Sequence, residues 1–350
     1  MISYVIVGSG YRSEYFARVA AAHPDLFRAV YLCRSPEKAA LMTARTGLLA
    51  TVSAEECLAF GPDFAVVAVD RGHIAQVTAE WARRGVPVVC ETPAGATLEE
   101  MNMLWELSRE GAKIVCCEQY HRHPVLAAGF DAVARGDIGD PVSAYLSLVH
   151  DYHAASLLRR MLLTAGEGYT MLGERRAARA AATDSRYGAI LDGSEAAEER
   201  TVLHIEYASG KTAVYDFAPL QYRSFLRARR LTVRGARGEW SDRVILRLGA
   251  DGAPRRDFLM PELPAKYRCL DTQSLRDIRK TWQSELFLDT VQDEYAIASI
   301  LLDTADYIAG GPCPYPLWEA LDDAYFWLLA DRAVQTPWQP VIAEKMPWHA

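Results

Sequence analysis

Two successive textures in the chain predict an α/β unit on a parallel, doubly wound sheet, followed by an α+β unit with a large, mostly antiparallel, open-faced sheet. The first texture alternates short apolar β-rich runs with helical stretches, as in strands covered by helices. The second begins after about Glu118, where the strands become longer and alternate more clearly between apolar and polar positions. A length of 350 residues suits two units, here bounded at 1–118 and 119–350.

Taken in order, residues 4–7 read as the first strand and 14–22 as the helix after it. Residues 29–33 form the second strand, and Ser35-Pro36 opens the next helix as N-cap and first helical residue. Residues 65–69, 87–90 and 113–117 are further strands, with helices over 73–84 and 98–110 between them. These runs lack period-two alternation, as expected of strands buried on both faces. In the second unit, 125–134 reads as a helix, and 142–149 and 200–260 as strands with turns at Ser209-Gly210 and Asp251-Gly252. Helices over 283–307 and 317–334 close the chain, whereas the charged stretches 173–182 and 195–199 read as mobile surface segments.

Composition narrows the function. Half of the residues are hydrophobic and 24% are charged, which is ordinary for a protein with a core. A net charge of −7 leaves no footprint for nucleic acid or an anionic membrane, despite the short basic run at Arg227, Arg229 and Arg230. No uncharged apolar stretch reaches the roughly 18–20 residues of a bilayer helix. A secretory leader pattern is not evident. The seven cysteines contain no CxxC pair and read as reduced thiols, so a cytoplasmic location is expected. No ligand set for a metal is expected, and no Gly-x-Ser-x-Gly elbow occurs.

The chemistry-bearing feature nearest the start is Gly8-Ser9-Gly10-Tyr11-Arg12, which follows a strand and opens a helix. The first glycine permits a tight turn and the second lets backbone approach a pyrophosphate, which the helix N-terminus then attracts. The third glycine of that Rossmann pattern is Ser13 here. At the end of the second strand stand Arg34 and Ser35 rather than an acidic residue. An acid there would favour NAD; Arg34 can pair with a 2′-phosphate, so NADP is favoured modestly over NAD, with stacking of Arg34 on adenine the alternative.

Together with this turn, four further landmarks resemble the Gfo/Idh/MocA (glucose–fructose oxidoreductase / inositol dehydrogenase) family. They are His73, Glu91-Thr92-Pro93, Gln119 five residues before Pro124, and His153. The resemblance implies an N-terminal Rossmann domain and an open-faced α+β domain that walls the substrate site and often mediates oligomerisation, so a homodimer or homotetramer is expected. It implies a cofactor cradle of Gly8, Ser9, Gly10, Tyr11, Arg12, Arg34, Ser35, His73, Glu91 and Gln119. It also implies hydride transfer to or from a carbinol carbon of a sugar, glycoside or polyol. Other members of the family act as redox-assisted glycosidases or as non-catalytic nucleotide-binding regulators.

Two departures stand out. Thr92 occupies the position of the family's lysine, and Val149 that of its aspartate. Threonine can hydrogen-bond a hydroxyl but supplies neither a cation nor a base near neutral pH. His153 is then expected to be the general acid/base, since imidazole titrates near pH ~6.5, with Tyr152 or His150 assisting. His121, Arg159, Tyr222 and Arg223 are the candidate substrate contacts. The alternative for His153 is a capping residue at a helix start, and for His121 and Tyr222 a structural role.

Overall fold

The computed structural model describes residues 1–185, 188–259, 262–281 and 290–349. The first sheet is assembled from β1 (Ile2–Val7), β2 (Phe27–Leu32), β3 (Ala50–Thr51), β4 (Phe64–Val67), β5 (Val88–Cys90) and β6 (Ile114–Cys116). Between them run α1 (Ser13–Ala22), α2 (Pro36–Thr46), α3 (Ala54–Ala59), α4 (Ile74–Arg83) and α5 (Leu98–Arg109). All pairings in this sheet are parallel, in the order β3-β2-β1-β4-β5-β6. The strand order reverses between β1 and β4, and the crevice at their carboxyl ends is where such sheets bind ligands. The uniform apolar character of these strands follows from burial: every residue of β4, β5 and β6 is buried. Tyr4 of β1 stacks on Phe64 of β4 with ring centres 5.7 Å apart, joining the two central strands on one face.

A turn at Tyr120–Arg122 leads into α6 (Pro124–Ala134), β7 (Pro141–Ser147) and α7 (Asp151–Leu162). Then follow β8 (Tyr169–Ala181), β9 (Asp184–Ser185), β10 (Gly188–Ala189), β11 (Glu195–Tyr207) and β12 (Thr212–Phe217). After these come β13 (Arg230–Gly235), β14 (Gly238–Ser241), β15 (Val244–Leu248) and β16 (Pro254–Phe258). The chain closes with α8 (Gln273–Thr281), α9 (Thr290–Ile308), α10 (Leu317–Gln335) and β17 (Val341–Ile342). Nine strands form the second sheet in the order β16-β15-β14-β13-β7-β12-β11-β8-β17, antiparallel throughout except for the parallel pair β7–β12. Helix α6 approaches this sheet at Gly129, where a Cβ would come within 2.0 Å of the Trp240 ring; only glycine lets that ring pack there.

One expectation is corrected. The stretches 173–182 and 195–199 are not mobile surface segments: all but Ala182 belong to β8 and β11, which pair in register over Tyr169–Ala181 and Glu195–Tyr207. Their outer halves are exposed, so apolar alternation is lost while the backbone ladder continues. The start of the helix expected over 283–307, and Met260 at the end of the expected strands, lie outside the described residues. Five cysteines are buried, and none of the seven forms a disulfide. Among the described residues no helix is long and apolar enough to cross a membrane, and no group of three or more His, Cys, Asp or Glu side chains could hold a metal ion.

Candidate active site at the mouth of the glycine turn

The site begins where β1 ends. Gly8 has φ +119°, and a Cβ there would lie 2.5 Å from the Ala68 carbonyl oxygen just beyond β4, so only glycine closes this crevice. Around Gly10 nothing lies within 4 Å of where a Cβ would stand, leaving the backbone open to a ligand. Ser13, in place of a third glycine, is fully buried and folds its hydroxyl back onto the Gly10 carbonyl at 2.6 Å.

Arg12 leaves the turn towards the second half of the chain. Its Nε donates to Glu91 Oε1 at 2.6 Å and its Nη1 to Asp293 Oδ2 of α9 at 3.5 Å. Nη2 is buried without a hydrogen-bond partner. Asp293 also takes a bond from His123 Nε2 at 2.9 Å and from the Gln119 side chain. Burial pulls the Asp293 carboxyl up, but His123, Arg12 and Gln119 together hold it below the usual range. Gln119 is 3% exposed, and its Oε1 is buried with no partner. Thr92 is half-buried, begins the cis Thr92–Pro93 bond, and donates its backbone N–H to Glu91 Oε2 at 3.2 Å.

Beside this cluster His153, in the first turn of α7, bonds through Nδ1 to Oε2 of Glu118, the residue two beyond β6. Both are buried, Glu118 completely. Oε1 of Glu118 accepts the Tyr120 N–H at 3.1 Å. Burial pushes the Glu118 carboxyl up to about 8, against the pull of the Tyr120 N–H and of Arg160, Arg12 and Arg159. Burial also pushes His153 down to about 3, with Arg12 acting in the same direction and Glu91 and Asp293 opposing it. Both shifts have one origin: charge is disfavoured in a dry pocket.

Aromatic groups enclose the imidazole. Tyr120, Tyr152 and His150 stand with ring centres 4.6, 4.6 and 4.8 Å away. Tyr222 reaches His150 twice, accepting its backbone N–H at 2.9 Å and meeting its Nδ1. Arg71 lies 5.2 Å over Trp327, whose ring faces Tyr152 at 6.2 Å.

Tyr11 bonds Tyr15 at 3.0 Å and also meets Arg223, which donates to the Ser185 carbonyl at 3.3 Å. Arg34 is exposed at the end of β2, and Ser35 caps α2 by accepting from Lys38 N–H. His73 precedes α4, is 73% exposed and bonds Asp70 at 2.9 Å. His121 faces Tyr315, with ring centres 5.4 Å apart, and lines a cleft of about 740 Å³ with α6 and β15. Arg159 points away from His153: it bonds Asp323 at 2.9 Å and Tyr315 at 2.9 Å in a buried cluster against α10.

Residues 2–119 match the family model described as the oxidoreductase family with an NAD-binding Rossmann fold, GFO_IDH_MocA. Over that stretch the chain is similar to the Gfo/Idh/MocA oxidoreductases. No curated protein matches the sequence. Among solved structures, a levoglucosan dehydrogenase in complex with NADH and levoglucosan is 14% identical with a TM-score of 0.70, covering 98% of this chain and 100% of that one. An oxidoreductase from Agrobacterium radiobacter in complex with NAD+, L-tartaric acid and magnesium is 14% identical, with a TM-score of 0.69 over 97% and 98% of the two chains. A putative myo-inositol dehydrogenase from Sinorhizobium meliloti 1021 is 16% identical, with a TM-score of 0.65 over 97% and 99%. At this identity the likeness is one of fold.

The glycine turn fits a dinucleotide. Gly8 brings β1 against the backbone after β4, Gly10 leaves room for phosphates, and Gln119 Oε1 and Arg12 Nη2 are polar atoms awaiting partners. Glu118 and Asp293 were not singled out from the sequence. Glu118 carried a readable signal, a charge directly after the apolar run Ile114-Val115-Cys116-Cys117. Asp293 carried none, since it meets its partners across 170 and 281 residues.

Proposed function

We propose that the protein is an NAD(P)-dependent dehydrogenase that oxidises or reduces a carbinol carbon of a sugar, glycoside or polyol. The observation that carries this reading is the buried imidazole of His153, paired with Glu118 and standing beside the Arg12, Glu91 and Asp293 cluster at the glycine turn. Gly8 and Gly10 would hold the pyrophosphate of the dinucleotide and Gln119 its nicotinamide end; when bound, the oxidised nicotinamide would accept the hydride that leaves the carbinol carbon. His153 Nε2 takes the hydroxyl proton in that direction and returns it in the other. Arg12 supplies a fixed cation in a pocket where Thr92 offers none. Tyr152 and His150 bound the substrate face, and Tyr222 holds His150 in position.

An exposed Arg34 with no acid at the end of β2 supports NADP over NAD. A division near 118/119, a cytoplasmic location and a homo-oligomer formed through the open sheet complete the proposal. The deciding experiment is a panel of sugars and polyols with each nucleotide, followed by reduced-nicotinamide absorbance. Turnover by the wild type that is lost in His153→Asn supports the reading. Tight nucleotide binding without any reduction, or aglycone release without net reduction, overturns it.

A further inference from the structure

We propose that Glu118 is the positioning residue for His153: its carboxyl decides which ring nitrogen carries the hydrogen, and so whether Nε2 can accept or donate a proton. The inference rests on the dehydrogenase reading for its catalytic meaning, but not for its geometry. His153 Nδ1 has Glu118 Oε2 as its partner, and Glu118 has no access to water. The opposite ring nitrogen, Nε2, is therefore the one free to meet a substrate. Two arrangements of the pair are chemically distinct. When Glu118 is a carboxylate it accepts from Nδ1–H, and Nε2 keeps its lone pair. When Glu118 is protonated it donates to Nδ1, and Nε2 must then carry the hydrogen. The first arrangement removes a proton from an alcohol, giving imidazolium stabilised by the adjacent carboxylate. The second hydrogen-bonds a carbonyl and does not accept.

The groups facing the pair come from every neighbouring element. Arg12 extends from the glycine turn, Glu91 and Cys117 stand near the ends of β5 and β6, and Tyr120 and His123 belong to the turn before α6. His150, Tyr152 and Arg160 belong to α7 and the residue before it, with Arg159 of α7 acting on Glu118 from its place against Asp323; Asp293 belongs to α9, and Tyr315 and Asp323 lie before and on α10. Water is excluded from Glu118, so its carboxyl holds its proton up to about pH 8. The pair therefore changes state within the working range of an enzyme, as one coupled unit.

The test reads the tautomer directly, without substrate. The full-length chain, labelled with ¹⁵N-histidine, is titrated from about pH 6 to pH 10, and the His153 signals are assigned by comparison with His153→Asn. The expected result is that the hydrogen moves from Nε2 to Nδ1 through a midpoint near 8. In Glu118→Gln, a neutral isostere that fits the same dry pocket, the switch is lost; in Glu118→Asp it returns at a shifted midpoint. One unchanging tautomer in the wild type, or a switch that persists in Glu118→Gln, overturns the proposal. Where a substrate is in hand, kcat/KM for oxidation rises through the same midpoint. Glu118→Gln then loses that rising limb and about 10²-fold in rate, while melting temperature and nucleotide affinity hold. If the wild type switches tautomer yet oxidises nothing, the dehydrogenase reading fails and the positioning role stands.

Discussion

Replacing Arg12 by methionine keeps most of the side-chain volume and removes the charge that Glu91 and Asp293 share. Breaking a fully buried ion pair costs about 3–5 kcal/mol, because a carboxylate is left in a dry place without compensation. The Arg12 side chain retains 26% exposure and Asp293 16%, so solvent screens part of that loss and about 2–3 kcal/mol is the working figure. At roughly 2 °C per kcal/mol for a chain of this size, the melting temperature should fall by about 5 °C at pH 7. The sign of the pH dependence follows from Asp293. Its folded pKa is depressed, so its stabilisation is present above the unfolded value of ~3.9 and is lost as pH falls through the folded value. Removing Arg12 takes away part of that depression, so the deficit is greatest at neutral pH and narrows as pH drops below about 4. Circular-dichroism melts of both proteins at pH 7 and in acid make the comparison. Equal melting temperatures at pH 7, or a deficit that stays constant into acid, would refute an electrostatic clamp between the glycine turn and α9.

Gly8→Ala forces a side chain to φ +119° and to within 2.5 Å of a backbone oxygen, costing about 1–3 kcal/mol in strain alone. Nucleotide titrated against intrinsic fluorescence should bind at least about tenfold more weakly, and an unchanged Kd would place the nucleotide elsewhere. Arg34→Ala should weaken NADP by about tenfold through loss of a charge-assisted bond while sparing NAD; calorimetric losses equal for both nucleotides would point to adenine stacking instead. Arg159→Met should destabilise the chain by about 3 kcal/mol without touching nucleotide affinity, because it strands Asp323 against α10. Burial pushes the Asp323 carboxyl up to about 7 even with Arg159 beside it, so this loss should be milder at pH 5.5, where the carboxyl is protonated in both proteins, than at pH 8.5, where only the wild type keeps a paired carboxylate. A loss independent of pH in melts would contradict that.

Much of the first sheet was legible because strands buried on both faces leave uninterrupted apolar runs, as in Phe64–Val67 and Val88–Cys90. The glycine turn was legible for a similar reason: backbone geometry at Gly8 admits one residue type. The outer halves of β8 and β11 were not, since Arg175, Arg176 and Arg179 face solvent and the ladder is held by backbone groups that any residue supplies. At the candidate site, the sequence offers His153 as a candidate by its position but gives no sign that Glu118 is its buried partner. Whether a carboxylate after a strand points into a pocket or into water depends on the helix that covers it, and His153 of α7 lies 35 positions beyond Glu118 in the chain. Arg159 illustrates the opposite case: its place on the same helix as His153 suggested a shared pocket, yet it lies six residues on, where the helix faces Asp323 and Tyr315.

The bond between Tyr11 and Arg223 has a consequence for turnover. It links the glycine turn to the segment after β12 that also carries Tyr222, the anchor of His150. On the proposed reading, in which the turn seats the dinucleotide and Tyr222 borders the substrate, displacing that segment would also loosen the dinucleotide's seat, and the reverse would hold as well. Such reciprocity favours an ordered kinetic cycle, with the off-rate of one ligand sensitive to occupancy by the other.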